Sequence, residues 1–407
     1  MRYEMRYMNK LTLDSFWGKN RNNKPGAGSK EPGTINFSPR TQLPAPGFNQ
    51  LLAIILLLCT ACGSGEEKPS DTFDRQAFLE NYAHNIIQPE AEALLGEAMQ
   101  LQSTIDTLVG QKTVEHLQEA QTQWDETYRA WIKVCMLNFG PGGTEGRRRT
   151  LLEEVALWPI DVEGIKEKIE ATDPSFNDSK RNTRGLLTVE NLLIATEDAD
   201  SALNRLEENR ATYLQKTVDR LVEQLASFSQ AWQGDYAAEF VANDGTDAKS
   251  STTQMFNETV RNFETLRDAK LGVPMGLIAG QSGPQPTLAE ARFSQKSLDY
   301  LLLNYATIVD LWHGRNGSGE DGLGWNEYLL SIEGGEELVT TIQQQFDEIN
   351  SIIERIPKEQ GLGELALANN PEMAELHQAM QQLTRYLKGD SSSLLSLAIT
   401  FSSGDGD

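Results

Sequence analysis

The stretch from Leu214 to Trp232, LQKTVDRLVEQLASFSQAW, places Leu214, Val218, Leu221, Leu225, Phe228 and Trp232 at alternating steps of four and three. That is the period of one face of an α-helix, with Gln, Lys, Asp and Glu left on the other face. The same spacing recurs in Val339, Ile342, Phe346, Ile349, Ile353 and Ile356, and again in Met373, Leu376, Met380, Leu383 and Leu387. These stripes define an all-α fold of amphipathic helices packed in bundles. Helices are expected near 90–107, 112–139, 186–197 and 201–232 in one bundle. A second bundle takes 249–269, 289–313, 335–356 and 371–388. Pro89 is expected to separate a short helix ending near Ile87 from the next one. The Gly and Pro residues of Gly140-Pro141-Gly142-Gly143 end the helix that carries Trp124, Tyr128, Trp131 and Cys135.

Residues 234–249 are polar and rich in small side chains, with Asn243-Asp244-Gly245 as a turn, and are read as the boundary. The organisation that follows is a leader over 1–61, an acidic tether over 62–72, an N-terminal bundle over 73–233 and a C-terminal bundle over 249–407. Two bundles of four suggest a duplication, although no residue repeat is visible. Leu51 to Leu58 form an apolar run of eight, too short to cross a bilayer and suited to a signal segment. Residues 1–50 are far longer than an ordinary leader start and read as a start site assigned too far upstream. Ala61-Cys62 after the run resembles a bacterial lipoprotein junction, with Cys62 the lipidated residue, although Cys59 stands where Leu is usual. An ordinary secretory cleavage nearby is the alternative.

The chain has 59 acidic against 36 basic residues, a formal charge of −23. Nucleic acid and anionic headgroups would be repelled, so neither is an expected partner. Of the three cysteines, Cys59 and Cys62 fall in the leader, which leaves Cys135 alone and excludes an intrachain disulfide in the body. Cys135 lies on a buried stripe and reads as an inert core thiol. The four histidines, His84, His116, His313 and His377, show no pairing at helical spacing, and His313 reads as a last-turn residue near helix carbonyls. No H-E-x-x-H, paired-cysteine motif or nucleophile elbow is present, so a zinc hydrolase is unsupported.

Gly185-Leu186-Leu187-Thr188-Val189-Glu190 resembles the G-x-H-x-x-E signature of the imelysin-like family, with Leu187 in the place of the histidine. The flanks agree in order. Upstream stand Trp124, Arg129 and Trp131, Phe139-Gly140-Pro141 and Trp158-Pro159-Ile160-Asp161. Downstream stand Leu271-Gly272-Val273-Pro274, Glu290, Ser294 and Asn304, Gly322-Leu323-Gly324-Trp325, and Phe401 with Asp405-Gly406-Asp407. The likeness spans roughly 72–407.

This resemblance implies a pair of helical bundles with a cleft and a site near their junction. It also implies a link to iron acquisition, beside a metallopeptidase label. Positions three apart share a helix face, so a His and a Glu would hold one metal together, whereas Leu187 leaves Glu190 as a single carboxylate. Metal hydrolysis needs about three ligands, an activated water and a base. The expectation is therefore a non-catalytic envelope lipoprotein that binds iron or another divalent cation weakly. It would be anchored to the membrane through Cys62, with an outer-membrane address and an envelope transport protein as partner. The competing reading is a degenerate metallopeptidase relative that serves as a structural or docking lipoprotein.

Each candidate residue has a bland reading beside the functional one. Glu190 sits among Leu186, Leu187, Val189, Leu192 and Leu193, so it is either a site carboxylate or paired with Arg184 or Arg129. Asp161 either reaches a cleft beside Trp158 or caps a helix over about 163–169. Glu290 in Thr287-Leu288-Ala289-Glu290 fits a capping box. Asn304, among apolar neighbours on the helix also assigned Ser294, needs partners across the bundle. Asp405 and Asp407 offer carboxylates with no calcium loop to complete them.

Overall fold

The computed structural model describes residues 73–143, 150–171, 176, 180–194 and 198–401. Cys59, Cys62, Asp405 and Asp407 lie outside them. The described residues fall within one compact unit, Phe73–Ser403, and they contain helices and no strand. None of these helices is long and apolar enough to cross a membrane.

The chain opens with α1 (Arg75–Glu80), runs through a π-helical turn (Asn81–Ile87) and continues directly into α2 (Gln88–Gly110). The boundary expected near Ile87 falls there, with Pro89 in the first turn of the next helix, but the two elements run on without a loop between them. The π turn shifts the hydrogen-bond register just before the proline, so its missing N–H falls in the first turn of α2, where it does least harm. α2 packs on both α3 (Val114–Val134) and α8 (Glu208–Gln233), the helix of the opening stripe. Leu214, Val218, Leu221, Leu225, Phe228 and Trp232 of that stripe are all buried. Between α3 and α8 come the short helices α4 (Leu151–Val155), α5 (Val162–Glu170), α6 (Leu186–Leu193) and α7 (Ala199–Arg205). The helix expected over 201–232 is thus two, separated at Leu206-Glu207. Leu206 turns inward to be buried and its carbonyl accepts from Lys112 Nζ, an arrangement without any Gly or Pro to announce it.

The expected boundary at 234–249 contains a helix instead, α9 (Tyr236–Ala242). Phe240 is buried, stacks on Phe139 at 5.8 Å and meets Trp232 edge-on, so aromatic burial overrides the polar composition of this stretch. α10 (Ser251–Thr265) follows and passes into a second π turn (Leu266–Gly272) and the single turn α11 (Val273–Met275). α12 (Ser297–Trp312) packs on α3 and on the second π turn. After α13 (Trp325–Leu330), α14 (Gly335–Arg355) pairs with α16 (Pro371–Thr384), with α15 (Leu362–Leu367) between them in sequence. A third π turn (Arg385–Ser391) and α17 (Ser392–Leu394) complete the helices.

α12 starts eight residues later than the sequence pattern suggests. Residues 286–288 form a 3-10 turn, and 289–296 are irregular, with Ala291 at φ 48° and Gln295 at φ 58°. Glu290 therefore caps no helix. Its carboxylate is drawn into the core by Tyr128 and Lys270, and its carbonyl accepts from Ser297 Oγ.

Candidate functional site

α6 carries the residues of the Gly185–Glu190 signature. Gly185 has φ 79° and ψ −171°, a conformation that suits glycine, and lies against the carbonyl of Val155 at the end of α4. The helix is held at both ends. Trp124 Nε1 donates to Leu186 O at 2.8 Å, while Gln121 and Arg210 donate to the carbonyls of Leu193 and Asn191 at 3.0 Å each. Leu187 is 2% exposed and belongs to the apolar core.

Glu190 is 1% exposed. Its Oε1 accepts from both the backbone N–H and the hydroxyl of Ser294, each at 2.7 Å, which ties α6 to the irregular segment 289–296. Burial pushes its carboxyl up to about 7, against the pull of Ser294 and Arg292. Neither suggested arginine is its partner: Arg184 pairs with Glu154 at 3.4 Å, and Arg129 pairs with Asp125 at 3.3 Å and Asp299 at 3.8 Å.

Glu290 sits in the same segment and is 3% exposed. Oε1 accepts from Tyr128 OH at 2.7 Å, and Oε2 lies 3.0 Å from Lys270 Nζ. Lys270 projects from the second π turn over the face of Trp158, 5.5 Å from the ring centroid. Beside this pair, Asn262 Nδ2 donates to Cys135 Sγ at 3.3 Å, and Asn304 Nδ2 donates to Asn262 Oδ1 at 3.0 Å. Asn304 thus finds partners in Asn262 of α10 and Cys135 after α3, while its Oδ1 has none among the described residues. Burial pushes the Cys135 thiol up, which fits an inert core cysteine.

An aromatic wall joins the two carboxylates. Tyr128 stacks on Tyr300 at 4.5 Å, and Tyr300 OH donates to Asp125 Oδ1 at 2.6 Å. Burial pushes Asp125 up, but the Tyr300 hydrogen bond and the charges of Arg129 and Lys296 outweigh it and leave the carboxyl below its usual range. Arg129 lies 5.7 Å from the Tyr300 ring at the half-exposed rim.

The fold therefore gathers Glu190, Ser294, Glu290, Trp158 and Asn304, with Arg129 at the edge. Asp161 is elsewhere in role: its Oδ1 accepts from Gly164 N at 2.9 Å and caps α5. Asp161→Ala is expected to cost about 1 kcal/mol of stability and nothing in ligand binding, as urea denaturation would read. Lys270 and Tyr300 were not legible as site residues. The available signal is a lysine between Leu266 and Leu271 beside Leu271-Gly272-Val273-Pro274, a charge where the pattern is otherwise apolar.

The donors do not suit a resident metal ion. Leu187 offers none, both oxygens of Glu290 are engaged, and the Lys270 ammonium beside them would repel a cation. Among the described residues no group of three or more His, Cys, Asp or Glu is placed to share an ion.

The imelysin family model, whose name is that of a peptidase, matches residues 87–388. No curated protein matches the chain. Two solved structures share the fold. One is a Parabacteroides distasonis ATCC 8503 protein named as an iron-regulated protein A precursor, with a TM-score of 0.65 and 17% identity over 79% of this chain and 95% of the other. The second is an imelysin-like protein from Psychrobacter arcticum 273-4, with a TM-score of 0.62 and 18% identity over 80% of this chain and 97% of the other. With the family model matching residues 87–388, most of its length, the chain belongs to the imelysin family.

Proposed function

We propose that this chain is a non-catalytic binding component of the bacterial cell envelope, anchored through an acylated Cys62 and serving iron acquisition, with an envelope transport protein as partner. An outer-membrane address fits the reading of the leader. The observation that carries the non-catalytic part is the engagement of Glu290 by Tyr128 and Lys270, with aliphatic Leu187 three residues from Glu190. That set supplies no triad of ligands to activate a water. Any binding of iron or another divalent cation would be weak, because Glu190 is the one ligand the signature keeps and burial and the Ser294 donors close it. The iron link rests on family membership and on the name carried by the Parabacteroides relative.

Calorimetric titration with ferrous, ferric and zinc ions, beside a peptide-cleavage assay, tests the reading on wild type, Glu190→Gln and Leu187→His. The expected result is the same weak heats in wild type and Glu190→Gln, and no cleavage. A stoichiometric ion bound by wild type and lost in Glu190→Gln would overturn it, as would cleavage that depends on Glu190. Tight binding gained only in Leu187→His would favour the alternative, a degenerate peptidase relative kept as a docking lipoprotein. Membrane recovery lost in Cys62→Ser checks the anchor.

A further inference from the structure

We infer that the chamber formed by Trp158, Tyr128 and Glu290 is a primary-ammonium site, and that the chain fills it with its own Lys270. An internal cation then pairs a carboxylate that would otherwise be buried with its charge unmet. The inference deepens the proposed function and rests on its non-metal reading of the centre.

Three features give the chamber this chemistry. Glu290 is 3% exposed and presents Oε2 to the Lys270 ammonium at 3.0 Å, while Tyr128 holds the other oxygen and so fixes the plane of the carboxylate. Trp158 offers its ring face at 5.5 Å, and an indole face beside a carboxylate is the chemistry that recognises ammonium groups. A hard divalent ion would instead seek about six oxygen ligands, and an indole face supplies none. The chamber therefore discriminates by its walls as well as by its charge.

The backbone brings the lysine to it. Lys270 lies in the π turn Leu266–Gly272, where the altered register separates it from its neighbours. Arg267 and Asp268 of the same turn bind each other; Arg267 also bonds Thr384, and Asp268 lies near His377. Lys270 alone serves Glu290, and at 5% exposure it is nearly closed to solvent. Burial draws its ammonium down, but Glu290 and then Cys135 outweigh this, and the net shift is upward, so the side chain is held charged.

The test removes the side chain and supplies its end group. Lys270→Gly leaves the chamber empty, and n-butylammonium chloride added to the full chain is expected to raise the unfolding midpoint of this variant by about 3 °C over sodium chloride at equal ionic strength. Wild type and the double variant Lys270→Gly with Glu290→Gln are expected not to respond. If Lys270→Gly does not accumulate folded, its refolding yield with and without butylammonium reads the same difference. An equal response in the double variant, or a larger rise of Lys270→Gly with zinc or manganese than with butylammonium, would overturn the assignment. An ion bound by wild type and lost in Glu290→Gln would overturn both this inference and the proposed function. An ion lost only in Glu190→Gln would overturn the proposed function alone, provided the butylammonium response holds.

Discussion

Gly185→Ala is expected to lower the stability of the chain by about 3–5 kcal/mol, the largest loss from any single added methyl at a described glycine of the site. Two causes act together. A Cβ at Gly185 would stand 2.3 Å from Val155 O and 2.8 Å from Glu154 O, backbone atoms that cannot swing aside as a side-chain end would. The residue also sits at φ 79° and ψ −171°, where L side chains are strained whatever the space. Relief would require α6 to move away from the end of α4, carrying Glu190 off Ser294 and Leu186 O off Trp124. Urea denaturation followed by far-UV circular dichroism measures the loss. Gly96, inside α2 with nothing within 4 Å of an added Cβ, is the matched control. Gly96→Ala is expected to gain about 0.5–1 kcal/mol, because only the helix-propensity effect remains. Equal effects at the two positions would refute the packing account of Gly185.

The helices were legible because burial on one face leaves a period, and the buried stripe of α8 and that of α14, through Ile342, Phe346 and Ile349, follow it closely. The residues of the site were legible as identities, through the resemblance, but their pairing was not. Glu290 satisfies a local capping-box pattern, yet a tertiary ion pair with Lys270 and a hydrogen bond from Tyr128 claim its carboxylate, and the helix start moves to Ser297. The irregular segment contains Ala291 and Gln295 at positive φ, where no glycine marks the conformation. Lys270 escaped notice because a regular 3.6-residue period assigns its face wrongly once the ladder becomes π-helical. In each case a long-range contact decides what a local pattern leaves open, and such contacts concentrate where side-chain chemistry is gathered.

Glu190→Gln is expected to flatten part of the pH dependence of stability and, at pH 8, to make the chain more stable by up to about 3 kcal/mol. In the folded chain burial raises the Glu190 carboxyl from its ordinary 4.5 to about 7. The folded state thus holds this proton more tightly than the unfolded state does. The stability it contributes is fully present below pH 4.5 and is lost as pH rises through 7. Glutamine keeps an oxygen for the Ser294 donors while never charging, so the loss disappears with the substitution. Glu258, raised by burial to about 7 as well, gives wild type a second contribution of the same sign, while His313, lowered by burial, adds one of opposite sign around and below its ordinary 6.5, so Glu190→Gln should keep a shallower slope of the same sign above pH 6.5. Asp125 and Asp268 are lowered, and what they contribute is lost at pH values below this window. Urea midpoints taken from pH 5 to pH 8 on wild type and Glu190→Gln measure the effect. A wild-type curve that stays level across that range, or parallel curves for the two proteins, would mean that Glu190 reaches solvent in the folded chain. It would then be a charged carboxylate open to ligands and not the closed bolt between α6 and Ser294 that its geometry describes.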